Sequence, residues 1–361
     1  MTRDVIRYVE PYDPGLFPHD VVERYGVDPG AVVNLASNES PFPPPSRVVE
    51  AIQRSLRSVN RYPDPKNRRL KRALSKRLGV TEGQICVGAG ATQLLDTICK
   101  VFLDPLDTVA MPIPTYSLYV HLAMLREAGL ELIQTTPPSF SLDVKSFIER
   151  SRDAKMVFLC SPNNPTGTVI ERSDLEEIAE SCRGVVVVDE AYADFADASF
   201  CDLVESHPNI IVIRSMSKYL SLAGLRVGYA VANEDVASTM EKVRLPFSVG
   251  SLAEEAAVAA LSVHEHYERA KNRIVSEREW LSSRLSTVDG IEPMPSHANF
   301  ILVRLTRDVP DLVERLAQRG VLIRDLAGVL GLDGHYVRIT VGTRSENLTL
   351  LRCLSEILEQ A

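Results

Sequence analysis

Through the middle of the chain, apolar positions form short unbroken runs that end in turn residues, and towards its end they form helical stripes. Residues 156–160 (Met-Val-Phe-Leu-Cys), 185–188 (four valines) and 210–213 (Ile-Ile-Val-Ile) are continuous rather than alternating. A strand reads that way when both its faces are covered, as inside a parallel sheet. Each run empties into polar punctuation: Ser-Pro-Asn-Asn-Pro-Thr-Gly over 161–167, Asp-Glu-Ala-Tyr over 189–192, and Ser-Met-Ser-Lys over 215–218, the last followed by a sharp loop and a second strand. Strands are also predicted near 32–35, from Ile85, over 108–119 where prolines end the run, and over 131–136. Helices are predicted from Ser46, over 67–78, from Thr92 and over about 141–152. After Asn233 the pattern changes to long amphipathic stretches (234–244 and 250–287). Strands at 299–303, 321–324 and 336–341 then alternate with helices at about 310–319 and from Ser345. This predicts an α/β protein with a mostly parallel central sheet flanked by helices and a smaller α+β domain. The expected division is an amino-terminal arm over 1–47, a large domain over 48–245 and a small domain over 246–361. No internal repeat or low-complexity segment interrupts it.

Composition changes little in that picture. The 361 residues are 45% hydrophobic and 24% charged, enough for a sizeable core. A net charge of −8 argues against nucleic acid or an anionic membrane as a partner, although a local arginine pair can still receive an anion. The basic run from Lys66 to Arg77 interleaves with Leu70, Ala73, Leu74 and Leu78 at helical spacing, so it reads as the solvated face of an amphipathic helix. The amino terminus has no apolar core of signal-peptide length and no apolar run spans a bilayer, which leads us to expect a cytoplasmic protein. Six cysteines without a C-x-x-C pair read as reduced core residues. His264 and His266 are two apart on a helix and point to different faces, so no metal is expected there.

Candidate chemistry gathers at the ends of the three covered strands. A lone lysine at a strand mouth is ordinarily solvated or ion-paired. Lys218, however, shares its sheet edge with Asn164, Asp189 and Tyr192, at the place where open α/β folds bind their ligands. That set suits pyridoxal phosphate. The lysine amine forms a Schiff base with the aldehyde, and an aspartate opposite the ring nitrogen keeps it protonated. Tyr192 and Asn164 can hydrogen-bond the phenolic oxygen, and Ser215, Ser217 and Arg226 can hold the phosphate. The stretch Ile85-Cys-Val-Gly-Ala-Gly-Ala-Thr-Gln superficially suggests a dinucleotide fingerprint but lacks its third glycine. A helix opening there offers free N–H groups, so Ala91 and Thr92, with Gln93 beside them, are expected to cradle the cofactor phosphate.

The segments 161–167, 189–192 and 215–226, the last closing on Ala-Gly-Leu-Arg, resemble the fold-type I pyridoxal-phosphate aminotransferases, and within them the histidinol-phosphate aminotransferases. The resemblance runs over nearly the whole chain. It implies that Tyr116 stacks on the pyridine ring and that Tyr62, in its Tyr-Pro-Asp setting, crosses a dimer interface to the neighbouring cofactor phosphate. It implies an arm packed on the small domain and the partner subunit, with Tyr12 and Asn38 at the substrate, and Arg324 and Arg338 on its anionic end. The implied reaction is histidinol phosphate with 2-oxoglutarate, in a homodimer with shared active sites. Two related activities stay open. Threonine-phosphate decarboxylases bind a phosphate too, but Tyr12-Asp-Pro-Gly stands where their His-Gly-Gly element is expected; aromatic-amino-acid aminotransferases would turn the same arginines to a carboxylate. The run Asn38-Glu-Ser-Pro-Phe-Pro-Pro also departs from the more usual Asn-Glu-Asn-Pro pattern followed by glycine.

Overall fold

The valine and isoleucine runs become inner strands of a seven-stranded sheet in the computed structural model, which describes residues 2–11 and 13–360. In chain order the strands are β1 (Val33–Leu35), β2 (Ile85–Gly88), β3 (Thr108–Ile113), β4 (Gly129–Gln134), β5 (Met156–Cys160) and β6 (Val185–Asp189). They continue as β7 (Ile210–Ser215), β8 (Gly228–Ala232), β9 (Ile291–Pro293), β10 (Phe300–Leu305), β11 (Val321–Asp325) and β12 (His335–Thr340). The larger sheet has the order β2-β8-β7-β6-β5-β3-β4. Only β8 runs against its neighbours, pairing antiparallel with both β2 and β7.

Continuous apolar strands are needed here because each face of the sheet has its own core. Val157, Leu159, Val186, Val188 and Val212 face one core with Phe147, Leu175 and Ile178 of the helices Val144–Ser151 and Arg172–Ser181. Phe158, Val187, Ile211 and Ile213 face the other, with Leu94, Leu95 and Ile98 of the helix Gly90–Phe102. The two-residue period of a strand sends alternate side chains to opposite faces. Each fully buried aliphatic side chain contributes about 1.5–3 kcal/mol relative to exposure.

The smaller sheet has the order β1-β11-β12-β10-β9. Strand β1, from the proline-rich beginning of the chain, pairs parallel with β11, while the other pairings are antiparallel. Leu281, Leu285, Leu350 and Leu354, from the helices His264–Leu285 and Arg344–Leu358, pack with Phe300, Ile301 and Val303 of β10. Thr343 and Glu346 close a reciprocal cap at the start of the last helix. Anchored by β1, the chain then carries Ala36, Ser37 and Asn38 towards the larger sheet.

Some boundaries differ from the sequence reading. The amphipathic stretch 250–287 is two helices, Ser251–Leu261 and His264–Leu285. At the break, the N–H groups of Ser262 and Val263 bond to carbonyls three residues back, and the Ser262 hydroxyl takes the Ala259 carbonyl at 2.7 Å. The first helix packs on helices Ser46–Ser55 and Arg68–Leu78, the second on the smaller sheet and the last helix. The apolar stretch after Ile113 turns into the helix Leu118–Leu125 instead of continuing as strand. The arm holds a further helix, Pro18–Tyr25. Its signals are a proline at the first position, Asp20 accepting the Phe17 N–H, and Gly26 in the left-handed region. Among the described residues no helix is long and apolar enough to cross a membrane.

Candidate active site

Register puts the carboxyl ends of β5, β6 and β7 at one level: Cys160 faces Asp189, and Asp189 faces Ile213. The loops that follow line a cavity of about 620 Å³ between the two sheets. Asn164, Asp189, Tyr192 and Lys218 all line it, so four residues from three separate sequence segments share one space.

Asp189 is 4% exposed. Its Oδ2 accepts the Tyr119 hydroxyl at 2.8 Å, and its Oδ1 accepts the Ala191 N–H at 3.0 Å. Burial pushes its carboxyl above the ordinary range, against the pull of these two donors. A buried carboxylate of this kind is stabilised by a cation in the cavity. Tyr119 is itself fully buried, stacked on Phe158 at 4.7 Å and edge-on to Tyr116 at 5.6 Å. Behind the site, the Arg214 guanidinium bridges Glu190 at 2.7 Å and Asp194 at 2.8 Å, tying the chain after β6 to the end of β7.

Lys218 donates from Nζ to the Ser37 carbonyl at 2.8 Å, so the segment after β1 reaches across to the β7 loop. Burial lowers its pKa to about 8; Arg338 and Arg226 push the same way, and Glu39 opposes them. A lysine so shifted offers an appreciable fraction of neutral amine near neutral pH, as a nucleophile requires.

The start of the helix Gly90–Phe102 faces Arg226. A Cβ on Gly90 would lie 2.6 Å from an Arg226 guanidinium nitrogen, and one on Gly228 would lie 2.6 Å from the Ala91 nitrogen. Both glycines therefore permit a close approach of helix start, arginine and β8. Arg226 also donates to the Ser217 hydroxyl at 3.3 Å, and the Ser215 hydroxyl accepts the Ser217 N–H at 3.2 Å. First-turn amides, a guanidinium and a hydroxyl converging on one corner form a donor set that fits a phosphate. With Asp189 and Lys218 at the other end, the cavity's chemistry fits pyridoxal phosphate.

Two arginines stand on the opposite wall. Arg338 donates to Asn164 Oδ1 at 2.7 Å and to the Ala36 carbonyl at 2.8 Å. Arg324 donates to the Asp13 carbonyl at 2.6 Å and lies 3.8 Å from the Asp13 carboxylate. Arg324 faces Arg338 from the neighbouring strand, in register. Asn38 is 1% exposed, and its amide donates to the Tyr192 hydroxyl at 3.0 Å.

Ala91, Thr92, Tyr116, Ser215 and Ser217 also line the cavity. Gln93 does not: its Oε1 turns back to accept the Ala89 N–H at 2.7 Å, so the side chain holds the turn before the helix. Tyr62 lies outside the cavity too; it is 83% exposed and stacks on Phe247 at 4.6 Å. Tyr12 lies outside the described residues. Sequence reasoning missed Tyr119. The usable signal was a tyrosine inside the apolar helix segment Leu118–Leu125, since a buried hydroxyl needs a partner.

Residues 31–354 match the family model for class I and II aminotransferases. The chain is 44% identical over 355 residues to histidinol-phosphate aminotransferase 2 of Archaeoglobus fulgidus, covering 98% of this chain and 100% of that one. It is 37% identical over 363 residues to the histidinol-phosphate aminotransferase of Methanocaldococcus jannaschii, covering 99% and 97%. In fold it is similar to the crystal structure of histidinol-phosphate aminotransferase from Sinorhizobium meliloti in complex with pyridoxal-5'-phosphate. The TM-score is 0.89 at 24% identity, over 99% of this chain and 98% of that one.

Proposed function

The chain belongs to the class I and II aminotransferases, and from that premise we propose that it transfers the amine of L-histidinol phosphate to 2-oxoglutarate. The products are imidazole-acetol phosphate and L-glutamate. The observation that carries the substrate class is the pairing of Arg324 and Arg338 on one wall of the Lys218 cavity. Two guanidinium forks in one cleft suit a phosphate dianion, in a protein whose net charge would otherwise repel it. The names of the relatives support the same reading.

The cofactor is pyridoxal phosphate, whose protonated ring draws electron density from the substrate Cα and so makes its proton removable. Asp189 would face the ring nitrogen and hold its proton, with Tyr119 and Ala191 N–H keeping the carboxylate oriented. Arg226, Ser215, Ser217 and the first-turn amides at Ala91 and Thr92 would hold the cofactor phosphate. Tyr116 would lie against the ring, and Tyr192 and Asn164 would reach its phenolic oxygen. Lys218 Nζ would bond the cofactor's carbonyl carbon. When not bonded to the cofactor, the same nitrogen would serve as the general base and acid that moves the substrate Cα proton. Arg338, held by Asn164 and Ala36, and Arg324, held by Asp13, would orient the substrate by its anionic end.

The reading includes a cytoplasmic homodimer in which Tyr62 serves the neighbouring site. Exposure of the stacked Tyr62–Phe247 pair, with Leu245 and Val59 also exposed nearby in sequence, supports such an interface. It divides the chain into an arm (1–47), a cofactor unit (48–245) and a smaller unit (246–361), with the helix Ser251–Leu261 packed on the cofactor unit.

The test is a visible-absorption titration of the reconstituted protein with L-histidinol phosphate, followed by a glutamate assay after 2-oxoglutarate is added. Loss of the lysine-bound band and appearance of glutamate are expected. A band that ignores histidinol phosphate but responds to threonine phosphate or aromatic amino acids would replace the substrate. Turnover retained in Lys218→Ala would overturn the mechanism.

A further inference from the structure

Asn38 joins three segments that no single element brings together. Its backbone sits in the left-handed region (φ 53°), which asparagine tolerates better than most residues, and its side chain is sealed from solvent. Its N–H donates to the Thr340 hydroxyl at 2.9 Å, and that hydroxyl donates back to Asn38 Oδ1 at 3.2 Å. Its carbonyl accepts the Asn299 amide at 3.0 Å. With Oδ1 engaged by Thr340, the NH₂ group is turned to Tyr192, whose hydroxyl oxygen accepts it at 3.0 Å.

This arrangement fixes a direction. An amide NH₂ only donates, so the tyrosine oxygen must accept from it, and the tyrosine's own hydrogen must go elsewhere. Tyr192 lines the cavity, where that hydrogen can serve. We propose that Asn38 is a positioning residue that aims the Tyr192 hydroxyl hydrogen into the cavity, as a donor to the phenolic oxygen of pyridoxal phosphate. The proposal rests on the reading that places this cofactor on Lys218 beside Tyr192. Its consequence is electrostatic: a hydrogen bond donated to the deprotonated oxygen favours that form and lowers the pH at which the lysine-bound cofactor gains its proton. Because Asn38 also ties Thr340 and Asn299 of the smaller unit to Tyr192, that donor depends on contacts made across the two sheets.

The experiment follows the visible absorption of the reconstituted protein against pH, without substrate, in the natural chain, Tyr192→Phe, Asn38→Gly and the double variant. Glycine keeps the left-handed backbone and adds no charge, so it removes the amide alone. Tyr192→Phe should raise the titration midpoint by about one unit, the scale of one hydrogen bond. Asn38→Gly should raise it by part of that amount, and should add nothing once Tyr192 is phenylalanine. Asn38→Asp, which offers the phenol an acceptor in place of a donor, should raise the midpoint at least as far as Tyr192→Phe. If Tyr192→Phe shifts the midpoint while Asn38→Gly titrates like the natural chain, or shifts it equally in both backgrounds, the role of Asn38 falls and the cofactor reading stands. If Tyr192→Phe itself leaves the midpoint unmoved, the placement of Tyr192 at the cofactor falls first.

Discussion

Tyr119 donates its hydroxyl hydrogen to Oδ2 of Asp189 across 2.8 Å, with both side chains sealed from solvent. In that setting a hydrogen bond to a charged acceptor is worth about 1.5–3 kcal/mol. Tyr119→Phe keeps the ring stacked on Phe158 and removes only the donor, so the protein should fold. Asp189 should then be easier to protonate, and we expect pyridoxal phosphate to be held roughly 10-fold more weakly, with kcat falling by a similar factor. Equilibrium dialysis against the cofactor measures this; unchanged retention would show that the charge on Asp189 does not depend on Tyr119.

Lys218 titrates at about 8 because burial disfavours its charged form. Only the neutral amine attacks an aldehyde, so cofactor uptake by the apoprotein should accelerate about tenfold per pH unit below pH 8 and level off above it. An ordinary lysine would keep accelerating to about pH 10.4. The same shift has a stability consequence. The unfolded chain binds the proton up to its higher pKa, so from about pH 8 to about pH 10.4 this group makes folding of the apoprotein more favourable as pH rises. Stopped-flow absorbance across pH 6–10 distinguishes a plateau from a continued rise.

Gly90 has φ 78°, and a Cβ there would meet the Arg226 guanidinium at 2.6 Å. Gly90→Ala should cost about 1 kcal/mol or more of stability from the backbone alone and displace Arg226 from the helix start. Inorganic phosphate and pyridoxal phosphate should both bind more weakly, while pyridoxal, which lacks the phosphate, should be affected much less. Equal losses for both aldehydes would mean that the corner at Gly90 does not hold the phosphate.

Arg338 spends one nitrogen on Asn164 and another on Ala36, a bidentate setting that a lysine cannot reproduce. Arg338→Lys should raise KM for histidinol phosphate by about 10- to 100-fold, the scale of a lost charge-assisted bond, and leave cofactor loading nearly intact. Steady-state kinetics beside cofactor absorbance separates the two. If loading fell as steeply as substrate affinity, Arg338 would be supporting the cavity as a whole.

Much of this site was legible because its largest signals are local. Four valines ending in Asp189, and Ile210–Ile213 followed by two serines and Lys218, each mark a covered strand that ends in a polar loop, and the candidate chemistry comes from reading these ends together. The helix opening at Gly90 likewise carried its phosphate reading in its own residues. The break at Ser262–Val263 was invisible because the apolar stripe continues through it. It is decided by what each half packs on, the first on the helices beside the larger sheet and the second on the smaller sheet. Gln93 read as part of the phosphate cradle, yet its Oε1 reaches back to accept the Ala89 N–H; whether a glutamine accepts from its own turn or donates to an anion is something composition does not encode.

By itself, the sequence determined which segments would be buried strands and which residues would stand at their ends, and hence which lysine, carboxylate and helix start the proposed chemistry draws on. Burial pattern and turn chemistry act over a few residues. Only the tertiary structure decided that Tyr119 serves Asp189 from 70 positions away, that Asn38 aims at Tyr192 from 154 away, and that Arg338 leans on Asn164 from 174 away. A buried polar group must find a partner, but its identity depends on which strand ends the sheet order sets side by side, and that order is fixed by the packing of both cores at once.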